Sequence, residues 1–311
     1  MHSNTTQKHP IWCTHEAGDA EEQAENLRNW QQQYAQMSSG KFYGCIKEMI
    51  TPEIHLFHEY TNQRLIQHCN VWPDALWLGF SADEKHCKIN RQEIKTNQLM
   101  LRPGDCDFEL ITPENFNILG IVVRLDVLRT HAAAQQLLLP ENFEDCASKT
   151  WQDGKVTQLR NRILALINPV QKNTNDCFSI IDDILELFSV PDNKITFKVS
   201  AKRKKNAFDT VVDLIDSHPE KNFTITELCE KTYMSRRSLQ YCIEENVGLS
   251  PVKFIKWSKL NRVRKELLKI QSDELTIFEI AQGCGFTHAG QFSKDYKALF
   301  GETPSQTLAH K

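Results

Sequence analysis

Several classes of protein are excluded by what this chain lacks. Its 311 residues contain no run of 18 apolar residues, so no membrane-spanning helix is expected. Residues 1–10 lack the basic and then apolar pattern of a signal peptide. The ten cysteines include no Cys-x-x-Cys pair. We therefore predict a cytoplasmic protein with reduced thiols and no disulfide framework.

Signatures of catalysis are also missing. The sequence has no glycine-rich phosphate loop and no nucleophile–base pattern, so we expect neither an enzyme nor catalytic residues. His55, His58 and His68 lie close together in the chain, but no His-x-His with a following Glu has the spacing of a barrel metal site. No metal is therefore predicted.

The charge is unevenly distributed. The chain carries a net charge of −3, yet residues 201–311 hold 18 basic against 14 acidic side chains, and the remainder holds 19 against 26. A basic C-terminal part on an acidic body is typical of a polyanion-binding module joined to another domain. An apolar helical pattern ends near residue 189, and a Lys-Arg-Lys-Lys run occupies 202–205. This pattern predicts domains at 1–195 and 206–311 with a linker at 196–205.

A short sequence pattern occurs twice in the C-terminal part. The segment 224–229 reappears as 276–281, and Gly-x-x-Pro at 248–251 reappears at 301–304. Each copy opens with a threonine and a glutamate three residues later, which is the capping box of a helix start. Each copy ends with glycine and proline, which stop one helix and allow another to begin. The repeat predicts two helix-turn-helix units, at about 224–246 and 276–300.

The first unit has a polar outer face. Leu239, Cys242 and Ile243 recur at helical spacing and are expected to point inward. The same spacing leaves four candidate DNA-binding residues outside: Arg236, Arg237, Gln240 and Tyr241. Arginine pairs with guanine and glutamine with adenine in the major groove, although the same side chains also serve simply to solvate a surface helix.

The second unit differs in chemistry from the first. At the positions that match the two arginines it carries Ala289 and Gly290, which cannot read base edges. His288, Lys294 and Lys297 remain as DNA-contacting candidates, and the lysines suit phosphates. Between the two units, a predicted helix from residue 250 has basic residues on its non-apolar faces: Lys253, Lys256, Lys259, Arg262, Arg264 and Lys265. We expect the first unit to read sequence and the second to position the protein.

The region 208–309 resembles the AraC/XylS family of bacterial transcription regulators. The resemblance is carried by Gly285-Phe286, Phe292-Ser293-Lys294, Tyr296-Lys297, Phe300-Gly301 and Thr303-Pro304-Ser305. It implies binding to double-stranded DNA, engagement of RNA polymerase and, in many members, a homodimer. Tyr233 departs from the family, which usually has glycine in this turn, and a bulky residue with positive φ would be strained.

The N-terminal part predicts an α+β protein with a small β-barrel or sandwich and flanking helices. Candidate strands are 42–50, 54–59, 64–71, 75–80, 99–102, 108–111 and 116–123, separated by turn residues. Candidate helices are 125–139, 156–167 and 178–188. The apolar stripes of the last two helices either cover the sheet or form a dimer interface.

Four residues of this part are candidates for a small-molecule pocket. Trp72 and Trp77 flank a Pro-Asp turn, Arg102 precedes Pro-Gly, and Glu109 lies between two apolar residues. Aromatic walls with a few placed polar groups are typical of ligand pockets. The alternatives are core packing for the tryptophans and solvent exposure for Glu109.

The sensor half further resembles that of activators of bacterial ethanolamine-utilisation operons. The resembling segments include Trp30-Gln31-Gln32-Gln33-Tyr34, Phe57-His58-Glu59-Tyr60-Thr61, Val71-Trp72-Pro73 and Phe108-Glu109-Leu110. The resemblance implies ethanolamine as inducer and cobalamin as a co-inducing cofactor. The resulting hypothesis is a DNA-binding transcription activator of a metabolic operon. Alternatives are a regulator of another catabolic or amine-related pathway, and one whose first half only dimerises.

Overall fold

The computed structural model describes residues 10–83, 85–95, 98–139, 148–150, 154–167, 176–189, 207–270 and 275–309. Their contacts divide the chain into two units. The second unit joins the helices after residue 206 to Ala35–Phe42 and Gln63–Ile66, and the first holds the remainder. The predicted linker, 196–205, lies outside the described residues. No helix in the described ranges is long and apolar enough to span a membrane.

Two β-sheets form the framework of the first unit, although residues 35–36 and 65–66 of their strands are assigned to the second unit. The strands are Ile11–Ala17 (β1), Gln31–Gln36 (β2), Gly44–Ile50 (β3), Ile54–Thr61 (β4), Leu65–Asn70 (β5), Ala75–Ser81 (β6), Cys87–Ile89 (β7), Gln92–Ile94 (β8), Gln98–Pro103 (β9), Phe108–Thr112 (β10), Phe116–Arg124 (β11) and Ser148–Thr150 (β12). The larger sheet has seven strands in the order β1-β3-β4-β11-β6-β9-β12. The smaller has five, in the order β2-β5-β10-β7-β8.

The mixed α+β prediction is confirmed, but the barrel alternative is wrong, because the two sheets are not closed on each other. The seven predicted strands correspond to β3, β4, β5, β6, β9, β10 and β11. The sequence pattern missed β1 and β2, together with a short helix between them, Ala20–Glu25 (α1). It also missed the three-residue strands β7, β8 and β12. Such short strands offer too few alternating positions for a pattern to stand out.

The inner face of the seven-stranded sheet is filled by large aromatic rings. Trp77 and Phe57 are buried there in one apolar cluster that also contains residues of the smaller sheet, such as Phe108. The rings lie directly over Gly79 and Gly120, where any β-carbon would collide with them. The two glycines therefore provide the space that the rings occupy.

Three helices cover the outer face of the same sheet: Leu125–Ala134 (α2), Lys155–Ile167 (α3) and Asp176–Ser189 (α4). The predicted stripes of α3 and α4 are buried in one cluster with the outward residues of β4, β6 and β11. Full burial of one leucine or isoleucine contributes about 1.5–3 kcal/mol. These stripes therefore serve the chain's own core, and the predicted homodimer would have to use other surface.

The second unit is helical beyond residue 206. Its helices are Ala207–Ser217 (α5), Ile225–Thr232 (α6), Arg236–Val247 (α7), Pro251–Lys269 (α8), Ile277–Gly283 (α9), Ala289–Phe300 (α10) and Pro304–Ala309 (α11). Helix α8 carries the largest buried stripe, and its Phe254 packs on Phe208 of α5 with ring centroids 5.1 Å apart. Along α10, Phe292, Tyr296 and Phe300 pack ring against ring. The predicted helical C-terminal region is confirmed.

Candidate nucleic-acid interface

Helices α6 and α9 begin in the same way. The Thr224 hydroxyl accepts the backbone N–H of Glu227 at 3.2 Å, and the Glu227 carboxylate accepts the backbone N–H of Thr224 at 2.8 Å. Thr276 and Glu279 repeat both bonds at 3.2 and 2.7 Å. The Thr224 N–H and then the Lys221 ammonium hold the pKa of Glu227 at about 2. Both predicted capping boxes are therefore formed, and they fix where the two helices start.

The turn after α6 contains a strained residue. Tyr233 has φ 56° and ψ 33°, in the left-handed region, and its side chain is 95% exposed. Its N–H is held by the end of α6, and Ser235 then caps α7 by accepting the N–H of Ser238 at 3.1 Å. The turn therefore keeps the left-handed geometry that glycine favours, although a tyrosine occupies it.

Helix α7 is divided into a buried face and an exposed face. Leu239, Ile243 and Val247 are buried, with Cys242 half-buried. The four candidate DNA-contacting side chains Arg236, Arg237, Gln240 and Tyr241 are all exposed. The structure thus brings them together on one helix face, as their spacing predicts.

These exposed side chains are already ordered by local contacts. The Arg237 guanidinium lies 5.5 Å from the centroid of the Tyr241 ring and donates to its hydroxyl at 3.2 Å. Arg236 donates to the Thr226 hydroxyl at 3.1 Å, and the Gln240 amide donates to Glu244 at 2.9 Å. A cation over an aromatic ring is stabilised by the ring quadrupole. These contacts favour an orientation in which the Arg237 guanidinium lies over the Tyr241 ring.

The second copy depends on a glycine at its turn. Gly285 has φ +83°, and a β-carbon there would collide with the backbone carbonyl of Glu220. Helix α10 follows with Phe292, Tyr296, Leu299 and Phe300 buried. His288 at its N-cap makes no side-chain capping bond. His288, Lys294 and Lys297 are all exposed, which agrees with their placement on the outer side.

Helix α8 is less uniformly basic at its surface than its sequence predicts. Lys259 is only 3% exposed, and its ammonium donates to the Lys221 carbonyl and the Asn222 side-chain oxygen, each at 2.8 Å. Burial lowers the pKa of Lys259. Lys256 pairs with Asp295 at 3.0 Å, and Arg264 pairs with Glu302 at 2.7 Å. The prediction that Lys259 lies on a charged outer face is therefore wrong, because this lysine holds the loop before α6.

The four candidate ligand residues belong to the first unit. Trp77 is fully buried, stacks on Phe108 at 4.8 Å and lies opposite Arg102 in the pairing of β6 with β9. Arg102 is 5% exposed. Trp72 is half-buried and stacks on the His55 ring at 6.0 Å. Glu109 is 5% exposed and paired with Arg91, so the solvent-facing alternative for Glu109 is wrong.

A buried acid in the same interior was missed by the sequence reasoning. Glu59 accepts hydrogen bonds from the Gln23 amide at 3.0 Å and the Tyr34 hydroxyl at 3.2 Å. Burial outweighs both donors and raises the pKa of Glu59 to about 7. The strand pattern marked Glu59 only as a strand residue, since nothing in an alternating sequence reveals which face a partner sheet will cover.

The three histidines considered for a metal do not meet. His55 bonds Glu48 at 2.9 Å, His58 bonds Asn117 at 3.0 Å, and His68 is exposed. A different group does converge among the described residues: the ligand atoms of Cys13, His15 and Glu48 lie within 4.8 Å of one another. Glu48 is distant in sequence from Cys13 and His15, so the spacing of the three residues gives no signal of a shared site.

One family model matches the helical part of the chain, and several relatives match about a third of its length. The family "Helix-turn-helix domain" matches residues 228–310. The XylDLEGF operon transcriptional activator 2 of Pseudomonas putida is 36% identical over 105 residues, which are 33% of this chain and 67% of that protein. The XylDLEGF operon transcriptional activator of the same organism is 36% identical over 102 residues, which are 33% of this chain. The chain therefore matches only part of that relative, 32% of its length. A crystal structure of a regulator with an AraC-type DNA-binding domain from Chromobacterium violaceum is 26% identical, with a TM-score of 0.31, over 33% of this chain and 90% of that one.

Proposed function

This chain belongs to the AraC/XylS family of transcription regulators, and we propose that it activates a metabolic operon by binding double-stranded DNA through two helix-turn-helix units. It is a regulator and not an enzyme. The observation that carries the proposal is the exposed face of α7, where Arg236, Arg237, Gln240 and Tyr241 stand on a helix whose opposite side is buried.

The proposed first unit consists of α6 and α7 and reads the base sequence. An arginine fork matches the two acceptors of guanine in the major groove, and a glutamine amide matches adenine. Arg237 is already oriented by Tyr241, so less side-chain freedom is lost on binding. Gln240 must exchange its bond to Glu244 for a base, which makes its contribution smaller than that of Arg237.

The proposed second unit consists of α9 and α10 and positions the protein. Its exposed face offers Ala289 and Gly290 where α7 offers arginines, and these residues have no group that reads a base. Lys294 and Lys297 are exposed cations suited to phosphates, with His288 at the helix start. The long helix α8 would set the distance between the two units, which is about 34 Å for successive major grooves.

Binding by the full-length protein tests this division of labour. Sites would first be selected from random DNA, because the operator is unknown. Arg237→Ala should then weaken binding to the selected site by about 1–3 kcal/mol and binding to random DNA far less. Lys294→Ala should weaken both similarly and reduce the slope of log affinity against log salt by about one.

Arg129→Ala is the charge-matched control, because Arg129 is exposed on α2 in the first unit. It should leave both affinities unchanged. Equal losses on selected and random DNA for Arg237→Ala and Lys294→Ala would refute separate reading and positioning roles.

The first unit is proposed to be the sensor of a small-molecule inducer, with an amino alcohol such as ethanolamine, and cobalamin as co-inducer, as the first candidates. The resemblance of its sequence supports this choice, together with the buried Trp77, Arg102 and Glu109 in the sandwich. If the inducer binds one of two conformations of the protein more tightly, it increases the fraction of molecules in that conformation and so changes how many engage the operator.

The inducer proposal is tested by thermal melting and tryptophan fluorescence of the full chain with each compound alone and with both. A hundredfold excess over the dissociation constant should stabilise the native state by about 2.7 kcal/mol. Trp77→Phe keeps an aromatic core and should reduce the effect. If neither compound changes melting at millimolar concentration, the inducer belongs to another class, and the DNA-binding proposal is unaffected.

RNA polymerase and a second copy of the chain are the proposed protein partners, and the cytoplasm is the proposed location. Sedimentation of the full chain at rising concentration tests for the dimer. A monomer at micromolar concentration, with and without selected DNA, would contradict it.

A further inference from the structure

A group of metal-binding side chains lies on the inner face of the seven-stranded sheet, near its β1 edge. Cys13 and His15 are alternate residues of β1 and so point to the same side. Cys13 pairs directly with Glu48 of β3. His55 of β4 reaches the same carboxylate from the next strand. Three adjacent strands thus bring a thiol, two imidazoles and a carboxylate together.

The distances suit one ion. The Cys13 sulfur, a ring nitrogen of His15 and a Glu48 carboxylate oxygen lie within 4.8 Å of one another. His15 Nε2 is 3.5 Å from Glu48 Oε1. Bonds of about 2.0 Å to nitrogen and oxygen and 2.3 Å to sulfur separate tetrahedral zinc ligands by roughly 3.3–3.6 Å. The His15–Glu48 distance already has this value. The Cys13 sulfur lies no more than 4.8 Å from the other two ligand atoms and must move closer when the ion binds.

Two atoms of the group lack hydrogen bonds. Glu48 is 1% exposed, and its Oε1 has no hydrogen-bond partner; neither does the buried Nε2 of His15. An unsatisfied buried carboxylate oxygen costs free energy unless a cation or donor reaches it. The two atoms lie 3.5 Å apart, close enough to share one ion.

Arg28 is the competing cation at this point. Its Nη2 donates to the Cys13 sulfur at 3.6 Å, and its Nε is 3.8 Å from Glu48 Oε1. These distances are long for charge-assisted bonds, which are normally about 2.7–2.9 Å to oxygen. The Arg28 side chain is 51% exposed, so it can leave for solvent when a metal arrives.

We propose that Cys13, His15 and Glu48 bind one Zn²⁺ ion, with the fourth position open to water or another ligand. A thiolate, an imidazole and a carboxylate are ligands that zinc accepts together. On binding, the Cys13 S–H bond breaks, its proton passes to solvent, and the thiolate and Glu48 together balance the charge of the ion. The three proposed metal ligands are different residues from those proposed to contact DNA or the inducer.

His55 acts as a positioning residue in this proposal. Its Nε2 bonds Glu48 Oε2 at 2.9 Å, which leaves Oε1 directed at Cys13 and His15. The Trp72 ring stacks on the His55 imidazole with an interplanar angle of 17°. Partners of this kind fix the orientation of a metal-binding carboxylate.

Cobalt titration of the full-length protein tests the site. The protein is treated with EDTA, freed of it by gel filtration and titrated with Co²⁺. Binding should saturate at one equivalent, with a near-ultraviolet thiolate-to-cobalt band and the visible bands of tetrahedral cobalt, and Zn²⁺ should displace them. Cys13→Ser should remove the thiolate band. Cys45→Ser is the matched control, because Cys45 is half-buried on β3 but points to the opposite face, and it should retain the band.

Two further variants separate a metal site from an ordinary ion pair. Arg28→Ala removes a competing cation and should tighten cobalt binding about tenfold. His55→Gln should weaken it by about tenfold to a hundredfold while the thiolate band remains. Circular dichroism verifies that each variant is folded. The proposal is overturned if the folded protein shows no saturable binding, if Cys13→Ser keeps the band, or if Arg28→Ala leaves the affinity unchanged or lower.

Discussion

Replacing Glu59 with glutamine should remove one component of the pH dependence of stability. The Glu59 carboxyl is 3% exposed on the inner face of the sandwich, where burial raises its pKa to about 7. Its two donors are the Gln23 amide and the Tyr34 hydroxyl. Gln23 Oε1 is buried without a hydrogen bond. Half a turn of the Gln23 amide would let that oxygen accept the O–H of a protonated Glu59, which agrees with the raised pKa.

The direction in which the free energy of unfolding changes with pH follows from the number of protons bound in each state. The unfolded carboxyl has a pKa of 4.5, so between pH 4.5 and 7 the folded state holds a proton that the unfolded state has released. The free energy of unfolding therefore falls as pH rises through this window and levels off above it. A pKa of about 7 against 4.5 corresponds to a loss on the order of 3 kcal/mol between pH 4 and 8. His58, whose pKa is lowered by burial, contributes with the opposite sign near neutral pH.

Urea unfolding followed by tryptophan fluorescence measures the effect, since Trp77 and Trp30 lie in the same interior. The informative quantity is the free energy of unfolding of the natural chain minus that of Glu59→Gln, because other titrating groups cancel in the difference. It should fall by about 3 kcal/mol from pH 4 to 8. Glu93→Gln, on an exposed side chain, is the control and should give a flat difference. If the difference in free energy of unfolding for Glu59→Gln is also independent of pH, the conclusion that Glu59 is a neutral acid in the folded protein is refuted.

Other perturbations address the second unit. Tyr233→Gly should raise its melting temperature with a gain of about 0.5–1 kcal/mol, because relief of left-handed strain exceeds the entropy cost of glycine. Tyr233→Ala keeps the strain and should show no such gain. Thr276→Ala should cost about 1 kcal/mol in chemical unfolding by removing a helix cap, whereas Thr276→Ser should be nearly neutral. Residues 206–311 alone should give a helical circular dichroism spectrum and bind DNA; an unfolded fragment at neutral pH would place the domain boundary elsewhere.

Local patterns predicted the helical part in detail. Thr224 and Thr276 start helices because a threonine and the glutamate three residues later satisfy free N–H groups of the first turn, which needs no distant residue. The exposed face of α7 follows in the same way from 3.6-residue periodicity. The longer strands follow from short stretches of strand-favouring residues bounded by turn residues. In all these cases the information lies within a dozen neighbouring residues.

Other features depended on which segments meet. Lys259 has the periodicity of a solvated residue, yet it is buried because the loop at Lys221 and Asn222 offers two acceptors. The burial of Glu59 is decided by a second sheet that the alternation of β4 cannot reveal.

The sequence by itself determined the family, the helix starts and the polar face of α7, because each of these depends on short-range spacing. Only the tertiary structure decided that the sheets stay open, that Glu109 is buried beside Arg91, and that Cys13, His15 and Glu48 meet. The physical reason is the pairing of strands far apart in sequence. The register of β1 on β3 places residue 13 opposite residue 48. The residues between them contain no local pattern from which this register could be predicted.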